Sequence, residues 1–205
     1  MKIAIIGTGH VGGALATRWA NAGHQIFLGV QDQTTFKGKA LLSNPNTTVH
    51  STLDAVKSAE VILIATPATV AIEVTKSLGD TTGKIIIDAM NVVIGKGPVG
   101  FSNTADAILA NTKTRDVVKC FNTTGFNNME NPNYGNTSLD LFMAGDSERG
   151  KEVTRKLALD AGFSECYSAG GNDKFQLMEQ FAFFWINLAM MQGQGRNIGF
   201  KLLKR

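Results

Sequence analysis

The sequence predicts an α/β fold, a doubly wound parallel sheet with helices on both faces and a small α+β extension at its C-terminal end. Three observations lead there. An apolar run, Ile3-Ala4-Ile5-Ile6, stops at Gly7-Thr8-Gly9-His10-Val11-Gly12 and continues as a helical pattern to Ala22. Further short apolar runs, at residues 25–30, 61–65, 84–88 and 117–121, alternate with helical stretches at a spacing that suits right-handed crossovers. Inside them, as in Ile85-Ile86-Ile87, hydrophobicity is flat rather than alternating, as expected of a strand covered on both faces.

The first strand ends at a turn with specific demands. Gly7 permits a sharp exit, Gly9 lets the backbone approach a pyrophosphate, and Gly12 lets the new helix pack closely on the sheet. The unpaired amides at the helix start then meet an anion. A GxGxxG pattern alone is weak, but this one follows a strand, opens a helix and leads into a second strand at 25–30. That context predicts a dinucleotide site.

A polar stretch follows at 31–39, then a short helix and the irregular turn Ser43-Asn44-Pro45-Asn46. Val49 starts a short edge strand before a helix at 53–58. The strand at 61–65 ends in Thr66-Pro67, a helical apolar face covers 71–78, and the strand at 84–88 leads to Asn91 and a glycine-rich segment at 95–100. A helix at 104–110 and a strand at 117–121 complete the alternation. Ligands of such sheets bind beyond the carboxyl ends of the strands, where the strand order reverses. That rule gathers Gly7 to Gly12, Val30 and Gln31, Thr66 and Pro67, Asn91 and Asn122 at one site.

From Asn122 to Asn136 the composition shifts to Asn, Thr, Gly and Pro. A strand is predicted at 139–144, then a helix capped by Asp146 or Ser147, with Val153, Leu157 and Ala161 on one face and Gly162 ending it. Another strand covers 163–168, and Asp173 with Gln176 resembles a capping pair for a last helix at 174–192. That helix carries Phe175, Phe181, Phe183, Phe184, Trp185, Leu188, Met190 and Met191, so it is apolar nearly all round and expected to be buried on more than one side. It is read as a core or dimer helix, or as an aromatic wall for a planar substrate. Residues 1–122 are thus a nucleotide-binding domain and 123–205 a small extension packed on it as one unit.

Composition bounds the function. The 205 residues suffice for one substantial core, and 20 basic against 17 acidic side chains give a net charge of +3 with no dense basic run before the terminal Lys201-Leu202-Leu203-Lys204-Arg205. Nucleic acid is therefore not an expected partner. The longest apolar stretch, 181–191, is about half a membrane span and contains Asn187, and the chain enters a strand at once, so neither a membrane span nor secretion is expected. The location read from this is cytoplasmic. Cys120 and Cys166 fall inside predicted strands and are read as reduced core residues.

No acid, base and nucleophile set stands out. His10 lies in the phosphate turn, His24 at a helix end and His50 near the edge strand, with no metal-like spacing to Cys, Asp or Glu. His10 is placed near phosphate, and the other two are read as surface or capping residues. Hydride transfer between two planar rings needs stacking, orientation and exclusion of water rather than such a set, which suits a reductase. The nucleotide is read from the tip of the second strand, where an acid would accept from the ribose of NAD and repel the 2′-phosphate of NADP. Val30 and Gln31 occupy that tip. Asp32, two residues on, is either a turn residue or a ribose ligand, and Lys37 and Lys39 either reach a 2′-phosphate or are solvated. NADP(H) is expected over NAD(H).

Several stretches together resemble the NADP oxidoreductase family that uses the 8-hydroxy-5-deazaflavin coenzyme. They are Gly7 to Gly12, Ala65-Thr66-Pro67, Asp88-Ala89-Met90-Asn91, Val118-Lys119-Cys120-Phe121-Asn122-Thr123, Ala144-Gly145-Asp146 and the tail Gly195-Arg196-Asn197-Ile198-Gly199-Phe200-Lys201-Leu202-Leu203. The resemblance implies a compact Rossmann domain with a small C-terminal extension, a homodimer, here through the C-terminal helix, and hydride transfer between NADPH and a flavin or deazaflavin. It assigns Gly7, Thr8, Gly9, His10, Val11 and Gly12 to the pyrophosphate and Thr66 and Pro67 to the nicotinamide, with Ala65 and Asn91 also counted as cofactor-binding. It puts Asn122 and Thr123 at the reacting rings, with Pro67, Asn122 and Ile198 on the acceptor. Val30 and Gln31 stand where many members carry a Ser-Arg pair on the 2′-phosphate. Two other readings stay open: a pyrroline-5-carboxylate or imine reductase, which needs a longer helical C-terminal domain, and a nucleotide-binding sensor or assembly module without turnover.

Overall fold

The computed structural model describes residues 1–93 and 95–205. In chain order the elements are β1 (Lys2–Ile6), α1 (His10–Asn21), β2 (Gln25–Val30), a 3-10 turn (Lys39–Ser43), β3 (Thr47–Ser51), α2 (Thr52–Ser58), β4 (Val61–Ile64), α3 (Ala71–Ser77), β5 (Ile85–Asp88), α4 (Thr104–Asn111) and β6 (Val117–Cys120). There follow α5 (Phe126–Glu130), β7 (Asn133–Tyr134), β8 (Thr137–Ser138), β9 (Asp140–Ala144), α6 (Glu148–Asp160), β10 (Glu165–Ser168) and α7 (Phe175–Ile186), which ends in a π-helical turn (Asn187–Met191). Among the described residues the main sheet has eight strands in the order β10-β9-β6-β5-β4-β1-β2-β3. All neighbours are parallel except β6 and β9. The order reverses at β1, which lies between β4 and β2.

The flat hydrophobicity of the strands has its counterpart in two cores. Ile3 and Ile5 point to one with Leu15, Trp19, Leu28, Leu63 and Leu157, whereas Ala4 and Ile6 point to the other with Val56, Ile62, Ile64, Ile86 and Phe175. Alternate side chains leave a strand on opposite faces, so each strand must be apolar throughout to fill both. The helices on the first face are tied by Trp19, whose Nε1 donates to the Leu157 carbonyl at 2.8 Å. Caps fall where short polar side chains precede helices: Ser51 on α2, Asn103 on α4 and Ser147 on α6 each accept from a backbone amide three residues on.

The strands of the extension lengthen the same sheet, because β9 pairs with β6. The Asn-rich stretch is ordered into α5 and the β7–β8 hairpin, with Ser138 Oγ donating to Asn133 at 2.6 Å. The Asp173–Gln176 capping pair is not made, because a 3-10 turn (Asn172–Lys174) precedes α7 and Asp173 instead meets Lys174 Nζ. Nor is α7 buried all round. Phe175, Met178, Ala182 and Trp185 face inward, while Leu177, Phe183 and Phe184 are exposed, since the sheet covers only one side of a helix laid on it.

His24 is also buried rather than superficial, with Nε2 2.9 Å from Asp160 Oδ2 and Nδ1 3.1 Å from the Met1 amino group. Burial pushes its pKa below the ordinary value of 6.5 even though Asp160 pulls it the other way. The folded state therefore resists a proton that the unfolded chain accepts, and stability falls as pH drops through about 6.5. Thermal melts are expected to show Tm declining between about pH 7 and pH 5.5, with the decline flattened in His24→Gln; an unchanged slope in that variant would assign the decline elsewhere.

Candidate functional site

Beyond the carboxyl ends of β1, β2 and β4 lies a cleft of about 850 Å³. The turn between β1 and α1 forms its floor. Gly7 has φ +102, and a Cβ there would lie 2.5 Å from the Ala65 carbonyl oxygen. A Cβ on Gly12 would lie 1.9 Å from the Gly7 carbonyl oxygen. Gly9 differs, because none of the described residues stands within 4 Å of where its Cβ would be. Two of the three glycines are thus demanded by the chain's own backbone, and the third opens free space at the start of α1. No side chain caps that helix and its first turn holds no acid, so its amide end and dipole are available to an anion.

The β2 side of the cleft carries Val30, Gln31, Asp32, Thr35 and Lys37. Val30 is buried and Gln31 exposed. Asp32 is spoken for: Oδ1 accepts from the Thr34 amide at 2.7 Å and hydroxyl at 2.6 Å, and Oδ2 from the Thr35 hydroxyl at 2.5 Å. These bonds, Thr34 first, hold its carboxyl far below the usual carboxylate range. Of its two sequence readings, turn residue is the geometry observed. Thr8 Oγ1 donates to the Lys37 carbonyl and so binds this loop to the glycine turn.

On the opposite side Ala65, Thr66 and Pro67 line the cleft. Thr66 Oγ1 donates to Met90 Sδ at 3.4 Å, which joins this wall to the end of β5. Next to Met90, Asn91 Nδ2 donates to the Asn122 carbonyl at 3.1 Å, and Asn122 Nδ2 returns bonds to Asn91 Oδ1 at 3.2 Å and the Met178 carbonyl at 3.1 Å. Phe121 is buried at φ +65. A left-handed non-glycine residue stores on the order of 1–3 kcal/mol, and such strain gathers at functional sites. Here it turns the chain at the end of β6 into the Asn91–Asn122 pair.

The structure thus brings Gly7, Thr8, Gly9, His10, Val11, Val30, Gln31, Ala65, Thr66 and Pro67 to one cleft. Gly12 lies beneath the turn. Asn122 and Thr123 are buried, at 3% and 2% exposure, and stand behind the wall rather than in it, with the Asn122 Oδ1 unpartnered among the described residues. Ile198 lies elsewhere on the tail, its carbonyl accepting from Trp185 Nε1 at 2.9 Å and Asn128 Nδ2 at 2.7 Å. His10 stacks on Phe126 with ring centroids 4.5 Å apart, and the Arg196 guanidinium sits 5.7 Å from the centroid of that phenyl ring. Cys120 and Cys166 are both buried and free, Sγ to Sγ 3.6 Å, and burial pushes the Cys120 thiol well up. Among the described residues no helix is long and apolar enough to cross a membrane.

One cluster carries no role in the sequence reading. Lys119 is fully buried, and its Nζ lies 2.9 Å from Asp88 Oδ2 and 2.9 Å from Glu179 Oε1. It also donates to the Met90 carbonyl at 3.1 Å and to Thr104 Oγ1 at 2.9 Å. Burial works against its charge, but the carboxylates of Asp88 and Glu179 outweigh that and raise the ammonium pKa. Removing one member of such a set leaves a buried charge uncompensated, which costs about 3–5 kcal/mol. The signal was present: a lysine inside Val118-Lys119-Cys120 and an acid at the end of Ile85-Ile86-Ile87 are charges placed in strands covered on both faces.

Residues 2–92 match the family model described as NADP oxidoreductase coenzyme F420-dependent. Among solved structures, the chain resembles a candidate F420-dependent NADP reductase from an Arthrobacter species, with TM-score 0.83, 23% identity and full coverage of both chains. It also resembles a hypothetical protein from Sinorhizobium meliloti, with TM-score 0.71, 23% identity, and coverage of 100% of this chain and 96% of the other. An imine reductase from Streptomyces aurantiacus aligns with TM-score 0.67 at 14% identity over 94% of this chain and 64% of its own length. At these identities the structural matches establish the fold.

The glycines separate ligand space from chain space. Gly9→Ala is expected to melt as the native protein does and to bind NADPH at least about tenfold more weakly, a loss of about 1.4 kcal/mol. Gly12→Ala is expected to lower Tm by more than about 5 °C. Isothermal titration and calorimetry check both; equal loss of Tm in the two variants refutes the distinction.

Proposed function

We propose, from the match of residues 2–92 to the family model described as NADP oxidoreductase coenzyme F420-dependent, that this chain transfers a hydride between NADP(H) and a planar flavin or deazaflavin acceptor. The observation that carries the nucleotide part is the open space at Gly9 over an uncapped helix start, between two glycines the backbone itself requires. When bound, the nicotinamide supplies or takes up the hydride. The amides from Gly7 to Gly12 bind the pyrophosphate, with His10 beside it. Gln31 and Lys37 face the 2′-phosphate, a role supported by the engagement of Asp32 with Thr34 and Thr35 instead of ribose. Ala65, Thr66 and Pro67 flank the nicotinamide end and exclude water there. The Asn91–Asn122 pair and Thr123 orient that wall from behind.

The acceptor reading rests on the coenzyme named by the matched family model and on a described lining whose titratable side chains are His10, Asp32 and Lys37, with Asp32 engaged by Thr34 and Thr35, which suits ring-to-ring transfer. In this reading Pro67 bounds the acceptor, and Asn122 supports that wall from behind; Ile198 reaches the acceptor only if the tail moves toward the cleft. The exposed Phe183, Phe184, Met190 and Met191 pair two copies of the chain through the C-terminal helix, which sedimentation velocity tests.

NADPH oxidation followed at 340 nm separates the acceptors. Turnover is expected with flavin mononucleotide or an 8-hydroxy-5-deazaflavin and not with a cyclic imine. Turnover with the imine alone replaces the acceptor, and tight NADPH binding without turnover makes the chain a binding module. In Gln31→Arg a bidentate guanidinium meets the 2′-phosphate, so NADPH affinity is expected to rise about tenfold while NADH affinity stays within about twofold. Equal gains for both nucleotides would displace Gln31 from that position.

A further inference from the structure

The buried charges under the cleft wall converge on one short segment. Its backbone and side chains are held from four directions. The Met90 amide donates to Asp88 Oδ1 at 3.0 Å, and the Met90 carbonyl accepts from Lys119 Nζ at 3.1 Å. The Val92 amide donates to Glu179 Oε2 at 2.8 Å. Asn91 is therefore fixed on both sides by acids that share one ammonium, since Asp88 and Glu179 each lie 2.9 Å from Lys119 Nζ. From that segment Met90 Sδ reaches Thr66, which lines the cleft.

We infer that Lys119, with Asp88 and Glu179, is a positioning group that holds the Met90–Asn91–Val92 segment, and through it the Thr66 wall, in register for the nicotinamide end of the nucleotide. The inference rests on the nucleotide reading above. The physical reason is the choice of group. A buried hydrophobic contact at this place would stabilise the fold equally well, since ion pairs in the interior often gain nothing over apolar packing. Directional bonds from the three ammonium hydrogens to the Asp88 carboxylate, the Met90 carbonyl and the Thr104 hydroxyl, with Glu179 beside them as an ion-pair partner, instead fix angles as well as distance. They also couple α7, which carries Glu179, to the ends of β5 and β6. Without Lys119, two carboxylates are left sharing a dry space and the Met90 carbonyl loses a donor. The segment then shifts while the glycine turn, at the far side of β4, stays where it is.

Saturation-transfer difference NMR with NADPH as the probe reads the two ends of the nucleotide separately. In the native protein both the adenine and the nicotinamide protons are expected to saturate. In Lys119→Met and in Glu179→Gln the nicotinamide signal is expected to fall at least threefold relative to adenine, with the adenine signal held. Leu157→Ala, a core change on α6, serves as a control that lowers Tm and is expected to keep the native ratio. An unchanged ratio in the folded variants overturns the inference, as does a loss of the same size in Leu157→Ala. If Lys119→Met does not fold, Glu179→Gln decides. Failure of the native protein to reduce any acceptor leaves this readout intact, whereas absence of any NADPH signal from the native protein overturns the nucleotide reading and this inference with it.

Discussion

Two carbonyls, each pressed against a missing methyl group, hold the centre of this molecule together. The Gly7 carbonyl oxygen sits where a Gly12 side chain would be, and Gly7 itself lies against the Ala65 carbonyl. These approaches bring the end of β1, the end of β4 and the first turn of α1 closer than any side chain permits. Everything else about the cleft follows from that closeness. The helix start is thrust into the crevice at the point where strand order reverses, and its amides face outward because the backbone on either side is locked. The loop after β2 is then tied back to the same turn through Thr8 and Lys37.

The other half of the cleft is organised by charge rather than by closeness. Its wall is a set of strand ends whose polar groups answer to Lys119, and no water competes for those bonds because Lys119 and Asp88 are fully buried. The two halves have different tolerances. Steric closeness at Gly7 and Gly12 admits no substitution, while the charge cluster admits conservative changes in shape but not in charge. A dinucleotide laid across both would have its phosphates held by backbone and its reactive ring held by a wall supported by ion pairs.

The extension contributes by continuing the sheet. Because β9 runs antiparallel to β6, the chain can return over the same face and set α7 against the strand ends, which is how Glu179 reaches Lys119. The tail then follows, with Asp140 accepting from Lys201 Nζ at 2.8 Å and from the Leu202 amide at 2.9 Å. What is left uncovered is the far side of α7, where aromatic and methionine side chains stand exposed. A helix laid on a sheet edge has only one side to bury.

Local pattern alone was enough for the strands of the main sheet and for the glycine turn, though not for α5 or the β7–β8 hairpin. Flat apolar runs can only be strands covered twice, and a glycine every second and third residue after such a run can only be a tight strand-to-helix turn; both are properties of a few adjacent residues. Val30 and Gln31 at the tip of β2 were legible for the same reason. The partnership of Lys119 with Asp88 and Glu179 was not, since those residues are separated by 31 and 60 positions and meet only when three elements close on them. The burial of Asn122 and Thr123, the burial of His24 and the one-sided burial of α7 were likewise decided by packing. The sequence by itself determined which segments would be strands and where an anion could bind; only the tertiary structure decided which charges share the interior, because a buried charge has its partner chosen by proximity in space and not along the chain.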